Sequence, residues 1–149
     1  MMSKIFYMED IVSFREISAW ITLVTVAISF GVYFGSIATG SVSARGLDTL
    51  HLLLLCVGAL VALQIASHVV AAAITPREGG RRRDEREQLI AWRAQSLGYY
   101  VLMVGVLALG APAHFGHPLV DLLNFALLVV VVATLTVALS QIVQFRRGA

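Results

Sequence analysis

The chain has 149 residues, 58% of them hydrophobic and 13% charged, with a formal net charge of +2 and a mean hydropathy of +0.84. Soluble domains carry about 25% charge, so the composition argues against a water-soluble fold. So little chain lies outside the apolar runs that no separate soluble catalytic domain is expected.

Four apolar runs, at about 17–39, 49–74, 94–113 and 119–143, occupy most of the sequence. Each reaches the roughly 20 residues that a helix needs to cross a hydrocarbon core. Lipid offers no partners to backbone N–H and C=O groups, so spans of this length satisfy them internally as helices. The expected fold is all-α: a four-transmembrane-helix bundle forming a single integral membrane domain over residues 1–149.

Residues 1–16 mix apolar and charged side chains at loose helical spacing and suit an interfacial segment. Ser13 and Glu16 form an S-x-x-E capping box at the start of the first span. Val42-Ser43-Ala44 has the small residues of a signal-peptide cleavage site. The preceding stretch carries Glu9, Asp10 and Glu16 and an over-long apolar run, so an uncleaved span is expected. Within this span Ala27, Gly31, Gly35 and Thr39 recur at steps of four, with Gly31 to Gly35 forming G-x-x-x-G. Such a seam allows close helix approach, either within the chain or between two copies. Packing within the chain is the expectation.

The second span opens with Asp48 as a candidate N-cap and holds Cys56, the only cysteine, in apolar surroundings that suit a packing residue. Near its end Gln64 and His68 are four apart and share a face. The central loop follows. Pro76 and Gly79-Gly80 break the helix, Arg81, Arg82 and Arg83 come next, and Asp84 to Arg93 then run without a breaker into the third span. Asp84 and Glu87 repeat the capping-box spacing, which predicts a third helix starting outside the membrane. Gly98 and Gly105 on that helix again allow close packing. The fourth span opens at His117-Pro118, with proline suited to the first helical position.

Lys and Arg are unevenly placed. Lys4 and Arg15 precede the first span, Arg77, Arg81, Arg82, Arg83, Arg86 and Arg93 lie between the second and third, and Arg146 and Arg147 follow the fourth. The other two loops hold Arg45 alone. Basic residues near span ends mark the cytoplasmic side, so both termini and the central loop are expected inside. Trp20 and Trp92 fall at the same level, as interfacial indoles do.

Candidate chemistry is sparse. His51, His114 and His117 gather toward the outer side with Asp48 and Asp121, and a divalent metal can use such nitrogen and oxygen ligands. No H-x-x-x-H or H-E-x-x-H motif accompanies them, so interfacial polar residues are the expectation, with no metal and no cofactor. Haem held by two histidines needs facing pairs on different helices, and only His68 lies well inside a span. A proton-coupled carrier needs an acidic or basic residue near mid-membrane, and none of the spans contains an Asp or Glu at that depth. Walker, G-x-S-x-G and triad patterns are also missing. Nucleic acid is a poor partner for a loop in which acids alternate with arginines.

His68-Val69-Val70, Pro76, Asp84-Glu85-Arg86-Glu87-Gln88-Leu89-Ile90, Gly98-Tyr99-Tyr100-Val101-Leu102 and the closing Gln141 to Gly148 together resemble an uncharacterised family of small four-helix bacterial integral membrane proteins with a D-E-R-[DE]-x-L-I cytoplasmic segment. The resemblance implies the same topology and a bacterial inner-membrane location, and it points to His68 and the Asp84–Ile90 helix. It assigns no activity, and the outer histidines are not part of it.

The reading that results is a non-enzymatic membrane protein acting through protein or lipid contacts. Arg82, Arg83, Asp84, Glu85, Arg86 and Glu87 form the docking surface, toward a larger membrane protein, a second copy or membrane lipids. A small transporter or channel using the Gln64–His68 face is the alternative, and a metal or haem protein the next.

Overall fold

A computed structural model describes residues 14–43, 46–74 and 85–147. Five helices appear in it: α1 (Phe14–Ala38), α2 (Leu47–Ile74), α3 (Glu85–Ala108), α4 (Gly110–His114) and α5 (Leu119–Arg146). No strand occurs among the described residues. α1, α2, α5 and the combined α3–α4 segment are each long and apolar enough to cross a membrane. At about 1.5 Å per residue even the 25 residues of α1 exceed a hydrocarbon core of about 30 Å.

The ends of the helices have local causes. α1 stops where Gly40 takes φ of 69°, a left-handed conformation that glycine adopts without a Cβ penalty, and its amide returns to the Ile37 carbonyl at 3.1 Å. α3 is interrupted near Leu109 because Pro112 has no N–H for the carbonyl four residues earlier and its ring crowds that carbonyl. The chain recovers for one turn as α4. Gly116 then takes φ of 74°, its amide bonds to Ala113 and that of His117 to Pro112, the paired bonds of a Schellman stop. Pro118 is extended, with φ −60° and ψ 152°, and accepts from the amides of Asp121 and Leu122. It therefore sits one position ahead of the first helical residue where the sequence suggested the first position itself. Asp48, expected as an N-cap, lies inside the first turn of α2. The capping residues Ser13 and Asp84 fall outside the described residues.

The helices form a row in the order α2, α1, α5, α3, with α4 continuing from α3. Consecutive long helices are antiparallel, so the start of α1, the end of α2, the start of α3 and the end of α5 share one end of the molecule. This is called the terminal end below. Among the described residues no substantial packing joins α2 to α3, so the bundle is open along that side. Its core is a cluster of Val26, Phe30 and Tyr33 from α1, Cys56 from α2 and Val131 from α5, surrounded by Phe34, Leu53, Leu127 and Leu135. Tyr33 is 1% exposed and meets Phe34 edge-on at 5.0 Å between ring centroids.

The small residues do not behave alike. Gly98 and Gly105 lie where α3 presses on α5, and a Cβ at either would collide with the side chain of Val137 or Val129. Ala94 and Ala138 are buried in the same interface. Gly31 and Gly35, by contrast, are exposed with nothing within 4 Å of an added Cβ, and Ala27 is exposed beside them. The packing within the chain expected of the α1 seam is therefore corrected. The seam faces outward, because α1 turns its opposite side, bearing Thr25, Ser29 and Tyr33, to the neighbouring helices.

Candidate functional site

That inward side of α1 carries Ser18, Thr22, Thr25, Ser29 and Tyr33, whose steps of three and four lay them along one stripe. Thr22 and Thr25 donate to carbonyls one turn back, to Ser18 at 3.1 Å and to Ile21 at 2.7 Å. This satisfies the hydroxyl protons locally and leaves the oxygens as acceptors toward α2. Gln64 of α2 donates through Nε2 to Thr25 Oγ1 at 3.4 Å. One turn further, His68 Nδ1 lies 2.8 Å from the Gln64 carbonyl oxygen and Nε2 lies 2.9 Å from Ser18 Oγ. A carbonyl can only accept, so a neutral ring carries its proton on Nδ1 and takes the Ser18 hydroxyl proton at Nε2. Gln64 and His68 thus face α1, with both imidazole nitrogens occupied. Deeper in the bundle, Tyr33 donates its hydroxyl proton to Asn124 Oδ1 of α5 at 2.8 Å.

Two charged clasps close the terminal end. Arg15 Nε donates to Glu87 Oε2 at 2.8 Å, with the side chains 30% and 27% exposed, tying α1 to the start of α3. Arg146 Nε donates to Glu16 Oε1 at 3.3 Å, and its guanidinium carbon stands 5.4 Å from the centre of the Trp20 ring. Behind the first clasp lies a cavity of about 190 Å³ lined by Arg15, Ser18, Glu87, Gln141 and Phe145. His68 is one hydrogen bond away from it, through Ser18.

The proposed docking residues divide. Arg82, Arg83 and Asp84 lie outside the described residues. Glu85 and Arg86 are exposed on the first turn of α3, with Leu89 and Trp92 outward along the same helix. Glu87, also placed in that set, is turned toward Arg15 and engaged by it. At the other end, His51 and His114 are exposed. His117 Nδ1 stands 3.8 Å from Asp121 Oδ2, although His117 precedes the helix that the four-residue spacing presumed. Among the described residues no three of His, Cys, Asp and Glu come together as a metal site would require.

The residues that sequence reasoning missed are Arg15, Ser18, Thr25 and Tyr33. The hydroxyl stripe was readable from its spacing, but the more familiar glycine seam on the opposite face drew the assignment. Comparison with family models, curated proteins and solved structures found no match to this chain.

Proposed function

We propose that this is a multi-pass protein of the bacterial inner membrane, with both termini and the α2–α3 loop in the cytoplasm, acting by contact and without catalysis. The membrane reading is supported by the girdle of outward leucines and valines on α2, α3 and α5, among them Leu54, Leu55, Val69, Val104 and Leu107. In water such a surface promotes aggregation; in lipid it is solvated. The Lys and Arg bias gives the orientation.

The observation that carries the contact reading is the clasp between Arg15 and Glu87. It ties the start of α3 to α1 across the terminal end, where α3 presents Glu85, Arg86, Leu89 and Trp92 outward on an ordered helix. Docking onto a prearranged helix face avoids the ordering entropy that a loose loop would lose on binding. The partner is a larger membrane protein or a second copy. A photo-crosslinking residue at position 89 should trap one partner in cells, and Arg86→Glu should abolish the adduct while the bundle stays folded. Equal yields with Arg86→Glu, or from a crosslinker at position 104, would argue against it.

A small carrier or channel is the second reading. The Ser18–His68–Gln64–Thr25 series, which starts at the terminal-end cavity, favours it. In liposomes it requires ion or solute flux that falls with His68→Ala; a leak-free bilayer with native protein removes it.

A further inference from the structure

On the side of α3 away from the Glu87 clasp, a groove of about 650 Å³ runs between α3 and α5 at the terminal end. Arg93 and Arg147 line it together with Trp92, Ser96, Tyr100 and Ser140. Arg15 and Arg146 are engaged by carboxylates, but among the described residues neither Arg93 nor Arg147 has such a partner. Two guanidinium groups with no carboxylate partner among the described residues therefore border one groove. Its remaining wall is Gln144, which donates to Ser140 Oγ at 2.9 Å, and the apolar Leu97 and Val143; it extends from Arg93 to Tyr100, about 10 Å along the helix axis.

We propose that this groove binds one anionic phospholipid, its phosphate held by Arg93 and Arg147 and an acyl chain lying along Leu97 and Tyr100. The proposal rests on the membrane reading above. Guanidinium groups donate paired hydrogen bonds that match phosphate oxygens. Trp92, 65% exposed, lies on the groove wall near Arg93, and an indole there suits headgroup level. Ser96 and Ser140 supply hydroxyls for the glycerol and ester region, between charge above and hydrocarbon below. Free phosphate satisfies the guanidinium groups but leaves the apolar wall uncovered, so the groove favours the lipid. The site continues the Arg86–Leu89 side of α3 into the next turns and shares Trp92 with it, and it makes the α3–α5 pair a lipid-dependent unit.

Native mass spectrometry of the full chain extracted in mild detergent, with phosphatidylglycerol or phosphatidylcholine added at matched mole fraction, tests this. One phosphatidylglycerol per chain should be retained at least fivefold above phosphatidylcholine. Arg147→Gln, in the residue after α5, should lower that retention severalfold without changing the helical circular dichroism. Ser96→Leu should lower it by filling the groove with both charges intact. Arg86→Gln should leave it unchanged. Equal retention of the two lipids, equal loss with Arg86→Gln, or displacement by millimolar inorganic phosphate would overturn the proposal. Recovery of the chain as a soluble monomer without detergent would overturn the membrane reading and this site together. A membrane-extracted chain indifferent to phosphatidylglycerol would overturn the site alone.

Discussion

Gly98 and Gly31 have the same side chain and opposite burdens. An added methyl at Gly98 must displace Val137, which is wedged between α3 and α5, whereas at Gly31 it meets open space. Gly98→Ala is expected to lower stability by about 1–3 kcal/mol, the usual cost of forcing extra volume into a packed interface. Gly31→Ala should stay within about 0.5 kcal/mol. Unfolding in mixed micelles measures both, and equal costs would contradict the outward seam. At Tyr33 the hydroxyl is joined to Asn124 across the core. Tyr33→Phe should cost about 1 kcal/mol, in the range measured for polar pairs between membrane helices. A double-mutant cycle with Asn124→Leu should show positive coupling; strict additivity would mean that the bond contributes nothing.

At the level of the element, the four long helices were legible because an apolar run of this length has one way to satisfy its backbone in lipid. The stop after α1 was less visible, because glycine at position 40 is one of several candidates in a loop rich in small residues. Which face of α1 is covered was not legible. Steps of four exist on both sides of the helix, one bearing Ala27, Gly31 and Gly35 and the other Ser18, Thr25 and Ser29, and only the arrangement of α2 and α5 decides between them. Glu87 shows the same limit. Its sequence neighbours suggest a local charge ladder, while the bundle brings Arg15 from 72 residues away. Because that pair is partly solvated, Glu87→Gln should cost under about 1 kcal/mol, and the charge swap Arg15→Glu with Glu87→Arg should restore the loss. A cost of several kcal/mol would mean that the clasp is dry.

For the whole molecule, the outside is apolar as well as the core, unlike a soluble bundle. Thr25, Ser29 and the Tyr33–Asn124 bond lie inside, and leucine and valine cover much of the outside. An open row of helices with α2 at its edge has little to hold that edge in water, but lipid covers it without loss. In the proposed membrane reading the same surface sets the number of crossings, and the arginine bias sets their direction. Single cysteines at positions 86 and 115, introduced as Arg86→Cys and Phe115→Cys in a Cys56→Ala background, test both together when intact cells meet a membrane-impermeant maleimide. The account predicts that position 115 is labelled at once and position 86 only after the membrane is permeabilised. Labelling of position 86 from outside intact cells, or of both positions alike, would contradict it.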